Sequence, residues 1–214
     1  MGKDKLKRFA EIATFPNVFQ RDCAFKGKWN QEFFKNDHPI ILELGCGRGE
    51  YTVNLAQHFP EKNFIGIDVK GARLWRGAKT AVEEKMNNVA FLRIQIESLM
   101  DYFGENEIAE IWITFPDPQP TSRREKKRLT YNRYLEYYRT LLSPKGIVHL
   151  KTDNDGLYAY TQEKLEELKI TPSKQTNDLY NSELLDEILS IKTTYEARYL
   201  KEGKSINYIN FRFD

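Results

Sequence analysis

IILELGCGRGE, residues 40–50, joins a short apolar run to a glycine turn. Ile40, Ile41, Leu42 and Leu44 have the composition of a strand buried on both faces of a parallel sheet. Gly45, Gly47 and Gly49 follow in G-x-G-x-G spacing, where missing side chains let the backbone turn sharply and come close to a ligand. Residues 51–59 then read as a helix, so the stretch is a strand-loop-helix unit. Its spacing is not the dinucleotide pattern G-x-G-x-x-G, because Glu50 stands where the third glycine of that pattern belongs. With the acidic Glu43 just before the glycines, the loop reads as a site for S-adenosylmethionine (SAM) rather than for a dinucleotide. A tight turn that holds no ligand is the plainer reading of the same residues.

At 214 residues the chain buries one full core, and one domain with short additions is the natural expectation. A hydrophobic fraction of 40% and a charged fraction of 30% exclude disordered and membrane-embedded classes. No apolar run approaches bilayer length, and the opening MGKDKLKR is not followed by the apolar core of a secretory signal. A cytoplasmic protein with no membrane partner is expected. Cys23 and Cys46 lack metal-ligand spacing and a companion histidine cluster, so neither a metal site nor a disulfide framework is expected. Cys46, inside the glycine loop, reads as a small space-filler. The net charge of +2 diagnoses no partner by itself; the distribution of charge says more.

Residues 1–39 mix lysines and arginines with aromatics, a composition suited to covering the cofactor site or touching a phosphate backbone; the plainer reading, compatible with either, is an N-terminal arm whose aromatics pack on the domain formed by residues 40–214. Residues 63–68, NFIGID, give a second strand with Asp68 at its carboxyl end, where a carboxylate can accept both hydroxyls of a ribose. A helix over 71–86 and a third strand over 89–96 follow, with Gln95 placed for an adenine. The fourth strand, 108–115, runs into FPDPQPTSRREKKR. Pro116, Pro118 and Pro120 stop the strand and stiffen its exit, which fixes Asp117 at the mouth of the sheet. Arg123, Arg124, Lys126, Lys127 and Arg128 come next, a run suited to gripping a phosphate backbone. A helix at about 130–142 leads to a fifth strand, 147–152, ending at Asp153. His149 reads as a core histidine and His38 and His58 as surface residues, so no histidine stands out as a general base. After a helix over 154–168, residues 172–190 read as polar and loop-like with a short helix near 182–190. The last strand, around 206–211, is expected to be antiparallel, at or near an edge. Strand-helix alternation of this kind predicts a mostly parallel seven-stranded sheet with helices on both faces, the Rossmann-like layout of SAM-dependent methyltransferases.

Taken in order, ELGCGRGE, FIGID, FPDPQPTSRREKKR, KTD and TTYE resemble the bacterial tRNA (guanine-N7-)-methyltransferase family, TrmB, from about residue 40 to the end. The most specific piece is the FPDP loop with basic residues behind it. The resemblance implies SAM as cofactor and a guanosine in the tRNA variable loop as target. It places Glu43, Asp68 and Gln95 at cofactor-contacting positions, beside the glycine loop Gly45, Gly47 and Gly49, and Asp117 at the cofactor and catalytic position. It places Asp153, Thr193 and Glu196 at the target nucleoside. Three residues depart from the family pattern. Gln119 stands for a tryptophan, Gln95 for an acid, and Thr121 for a substrate-binding lysine, whose place Arg123 or Arg124 is expected to take. The expected partner is tRNA, acting on a monomer or homodimer without metal. Methylation of another substrate, or RNA binding without catalysis, remains an alternative reading.

Overall fold

The computed structural model describes residues 2–213, leaving the outermost residue of each expected segment, Met1 and Asp214, outside it. An eight-stranded sheet runs through the molecule. In chain order its strands are β1 (Val18–Phe19), β2 (Ile40–Leu44), β3 (Asn63–Ile67), β4 (Val89–Leu92), β5 (Ile108–Thr114), β6 (Leu142–Thr152), β7 (Lys174–Thr176) and β8 (Asn207–Phe211). Their spatial order is β1-β4-β3-β2-β5-β6-β8-β7. β1 to β6 pair in parallel; β8 pairs antiparallel with both β6 and β7.

Side-chain alternation along β2 explains how both faces are filled. Ile40, Leu42 and Leu44 enter one apolar cluster. It is covered by α5 (Asn132–Leu141) and α6 (Asp155–Glu167), through Tyr134, Tyr138 and Leu165. Ile41 enters the other cluster, under α2 (Glu50–His58) and α3 (Gly71–Glu83). A period of two therefore sends Glu43 to the α2 face as well.

The sheet has eight strands rather than the expected seven, because β1, from the N-terminal residues, and β7 join the six read from sequence. β1 hydrogen-bonds alongside β4, with Val18 opposite Phe91. Trp29 is fully buried in the core shared with β2 and β5. Its indole donates at 2.9 Å to the Tyr102 carbonyl, at the end of α4 (Leu99–Tyr102). Helix α1 (Gly2–Ile12) lies against α3. The expected last strand is antiparallel, one place in from the edge, with β7 outside it.

The short helix expected near 182–190 is absent; that stretch forms turns. Its carbonyls are claimed from below: Lys151 Nζ donates to the carbonyls of Leu189 and Ile191 at 2.8 and 3.2 Å, and the Tyr51 hydroxyl to that of Ile188 at 3.2 Å. The stretch keeps single-turn bonds of its own, Ser190 N donating to the Asp186 carbonyl at 2.9 Å and Ile191 N to that of Ile188 at 3.2 Å, without continuing into a helix. Among the described residues no helix is long and apolar enough to cross a membrane, and no cluster of His, Cys, Asp and Glu has the makings of a metal site.

Candidate active site

Chain order reverses at β2. β3 and β4 are laid down on one side of it, and β5 and β6 on the other. In an open parallel sheet that switch point leaves a crevice beyond the carboxyl ends of the strands. Here it is a cleft of about 820 Å³, within the size range of small-molecule sites. The strand ends around it are flush, Leu44 lying opposite both Ile67 and Ile113, and Thr114 opposite Lys151.

The glycine loop forms its floor. Gly45, Gly47 and Gly49 all have positive φ (74°, 55° and 70°), a conformation that explains glycine at alternate positions. The N–H groups of Gly45 and Cys46 donate to the Ile67 carbonyl at 2.8 and 3.0 Å, tying the loop to the end of β3. Asp68 then locks it from the side, its Oδ2 accepting from Gly47 N at 2.9 Å and its Oδ1 from Lys70 N at 2.7 Å. Each oxygen keeps a lone pair for a ligand hydroxyl. A Cβ on Gly45 would meet nothing within 4 Å, so the open space beside the loop is room for a ligand. The third glycine does different work. Gly49 packs on Gly77 of α3, and a Cβ there would come within 2.6 Å of the Phe91 ring.

Glu43 lies under this floor and does not line the cleft. It is 2% exposed. Oε2 accepts from the backbone N–H (2.8 Å) and the hydroxyl of Thr52, and Oε1 from the Thr114 hydroxyl at 2.6 Å. Burial raises its pKa to about 7, although the bonds from Thr114 and Thr52 work the other way. Burial likewise pushes the Cys46 thiol up, which fits its reading as a space-filler. Glu50, the residue that breaks the dinucleotide pattern, begins α2 and accepts from Thr194 N at 2.7 Å. It thereby fastens the glycine loop to α7 (Thr194–Lys201).

Opposite the loop, the exit of β5 carries Asp117 into the cleft. Phe115 and Gln119 bracket it with φ of 49° and 46°, values uncommon for residues with side chains and costly for bulky ones. The turn between them is closed by Gln119 N donating to Asp117 Oδ1 at 3.2 Å. Arg128 braces the loop from behind, its Nε donating to the Gln119 carbonyl at 3.2 Å while its guanidinium sits 4.3 Å above the Tyr160 ring. Arg128 is thus a structural member of the basic run.

The cleft also gathers Gln95 after β4, Asp153 after β6, and Thr193. Asp153 Oδ2 accepts from Lys204 Nζ at 2.7 Å, and that ammonium lies 4.3 Å from the Tyr199 ring centroid. Thr193 caps α7, accepting from Glu196 N at 3.1 Å.

Glu196 is not in the cleft. It is fully buried behind Thr193, paired with Lys151 at 2.7 Å and accepting from the Tyr180 hydroxyl at 3.0 Å. Burial lowers the pKa of Lys151, and Glu196 opposes that shift. The pair pins the start of α7 to the end of β6, so its contribution to the cleft is through Thr193. Thr121, Arg123 and Arg124 are exposed and do not line the cleft; of the basic run only Lys127 does. Sequence reasoning also passed over Arg48, Arg73, Tyr195 and Tyr199, which do line it. Arg73 had a signal, since it sits one turn into the helix that Asp68 introduces. No histidine lines the cleft. His149 is stacked on Trp112 at 4.0 Å and bonded through Nδ1 to the Tyr208 hydroxyl at 2.8 Å.

A family model described as "Putative methyltransferase" matches residues 37–209. The chain is 50% identical over 220 residues to the tRNA (guanine-N(7)-)-methyltransferase of Bacteroides thetaiotaomicron, an alignment covering 99% of this chain and 86% of that one. It is 52% identical over 220 residues to the protein of the same name from Christiangramia forsetii, covering 99% and 98%. Among solved structures, the 16S rRNA methyltransferase KamB superposes with a TM-score of 0.64 at 13% identity, covering 86% of this chain and 91% of that chain. An antibiotic related methyltransferase gives 0.61 at 17% identity, covering 84% and 89%. At such identities the likeness is of fold, the Rossmann-like fold of SAM-dependent methyltransferases. With about half its residues shared along nearly its whole length with curated relatives, the chain belongs to the tRNA (guanine-N(7)-)-methyltransferase family.

Proposed function

We propose that this protein, acting in the cytoplasm, methylates N7 of a guanosine in the variable loop of tRNA, with SAM as the methyl donor. The observation that carries the reading is the placement of Asp117. A proline-stiffened, left-handed turn holds its carboxylate across a switch-point cleft from a glycine loop that Asp68 secures. When bound, SAM supplies a methyl group activated by its attachment to a sulfonium. Guanine N7 has a lone pair and no proton, so no base has to remove hydrogen before attack. Held by Asp68 and Gln95 beside the glycine loop, SAM would supply that methyl group to N7, and the electron pair of its C–S bond would stay on sulfur.

The chain's own task is then alignment and charge. Correct alignment contributes on the order of 7–11 kcal/mol in favourable cases. Positive charge grows on the purine as the methyl arrives, and a carboxylate already fixed nearby stabilises it more in the transition state than in the ground state. Asp117 fills that part. Asp68 and Gln95 hold the ribose and adenine of the cofactor, while Glu43 keeps the loop in shape from below. Asp153 and Thr193 meet the target nucleoside, and Lys127 takes the part that Thr121 lacks. A base stacked in a helix hides its edges, so the target enters unpaired.

The test is incubation of the protein with SAM and unmodified tRNA transcripts, followed by digestion and mass spectrometry for 7-methylguanosine. The modification is expected with the native protein and absent with Asp117→Ala, which still binds tRNA. SAM binding with no guanosine methylated on any transcript would overturn the substrate assignment and leave the fold and cofactor standing.

A further inference from the structure

A second groove, of about 370 Å³, lies between α1 and α3 and is lined by Asp4, Lys7, Arg8, Glu11, Trp75 and Lys79. Its cations are held in two different ways. Lys79 is neutralised, 2.9 Å from Glu11. Arg8 has no carboxylate within ion-pair distance among the described residues; its guanidinium sits 4.7 Å from the centre of the Trp75 ring. That ring is itself fixed by its Nε1 donating to Glu11 Oε2 at 2.8 Å. Arg73, further along α3 at the cleft rim, repeats the arrangement more loosely at 6.0 Å over Tyr195. An arginine seated on an aromatic face is oriented without being neutralised, and its N–H donors stay free for an anion. Arg76, one turn beyond Arg73, is exposed and has no carboxylate partner among the described residues. Exposed cations therefore run from the cleft, through Arg73 and Arg76, to Arg8 on α1.

Topology sets this row against the other basic surface. Helix α3 follows β3, whereas the short helical turn Ser122–Lys127, with Arg123, Arg124 and Lys126, follows β5. β3 and β5 flank β2 on opposite sides, so the two basic surfaces stand on opposite sides of the glycine loop. A polyanion whose target base drops into the cleft has backbone running out both ways.

We propose that the α1–α3 rim, through Arg8 and Arg76, is a second phosphate-binding surface for the tRNA, opposite the 122–127 turn. This rests on the RNA-methylating reading above. It gives the N-terminal residues a part in binding beyond packing, one that the exposed Lys5, Lys7 and Arg8 of α1 suit by charge.

The test is tRNA binding by the full chain across a range of salt concentrations. In Arg8→Gln/Arg76→Gln the slope of log affinity against log salt is expected to fall by about 1.4–1.8, at 0.7–0.9 for each of two phosphates left without its arginine. SAM affinity and the urea midpoint should match the native protein. Arg8→Lys/Arg76→Lys should keep the native slope, because a point charge serves a phosphate. A native slope in the glutamine variant, with a reduced slope in Arg123→Gln/Arg124→Gln, would confine phosphate binding to the 122–127 turn and overturn the proposal. So would binding to anionic vesicles that depends on Arg8 while tRNA affinity does not. Native protein that binds no tRNA at any salt would overturn the functional reading along with it.

Discussion

Replacing Glu43 by glutamine should make the protein more stable at neutral pH and leave it nearly unchanged in acid. The carboxyl group is fully enclosed, and burial lifts its pKa from 4.5 to about 7. A folded-state pKa above the unfolded value means that the fold prefers the neutral acid. The full stability is therefore present below about pH 4.5 and is lost as the pH climbs through about 7. At 1.36 kcal/mol per unit, that span amounts to roughly 3 kcal/mol. Glutamine has the shape of the neutral acid: its oxygen can accept from Thr52 N, and its amide can donate to the Thr114 hydroxyl, which reverses its own hydrogen. Urea unfolding of both proteins at pH 5, 6.5 and 8 measures the difference. The stability of Glu43→Gln relative to native is expected to rise by about 3 kcal/mol between pH 5 and 8, a midpoint shift of 1 M or more at ordinary m-values of about 1–3 kcal/mol/M. A difference that stays flat with pH would refute the argument, since it would mean that the three donors around the carboxylate repay its desolvation in full.

Gly77→Ala sets helix propensity against packing. Propensity alone favours alanine by about 1 kcal/mol, but the new methyl would stand 2.8 Å from the Arg48 carbonyl and 2.9 Å from Gly49 Cα. We expect a net loss of about 1–3 kcal/mol in urea unfolding and weaker SAM binding by calorimetry; a more stable variant would show that the loop yields freely. Lys204→Met removes the ammonium that holds Asp153 at 2.7 Å. Its KM for tRNA should rise several-fold with a smaller change in kcat, and Lys204→Arg should restore much of it. Lys204→Met placed on Asp153→Asn should do no further harm; additive losses would mean that Lys204 acts elsewhere.

The central unit of the fold was legible because two independent signals coincide in it. An apolar run of strand length ends in glycines whose φ values demand glycine, and no other element satisfies both. β1 was invisible for the opposite reason. Two residues, Val18 and Phe19, carry no period, and their partner strand is far off in sequence. β7 is Lys-Gln-Thr, a polar triplet that no hydrophobic pattern marks. Residues 182–190, read as a short helix, form separate turns.

The site shows the same limit. Asp68, Asp117 and Asp153 were found because strand ends point their next residue at the crevice. Thr193 and Glu196 look alike in sequence. Only the cap geometry of α7 turns the threonine toward the cleft and carries the glutamate beneath it to Lys151. Arg124 and Lys127 likewise differ only in which way a short helical turn faces, a direction set by Arg128 fastening the loop behind them.

The two left-handed residues around Asp117 bear on how such an enzyme should be engineered. A programme that seeks thermal robustness by placing glycine wherever a side chain occupies positive φ would include Phe115 and Gln119 among its choices, each worth about 1–2 kcal/mol in relieved strain. Glycine would also let the loop between the prolines visit conformations that the present side chains forbid. Hardiness gained at those two positions would come out of the fixed bearing of the carboxylate between them, so mutational libraries should leave 115–119 untouched and look for stability elsewhere.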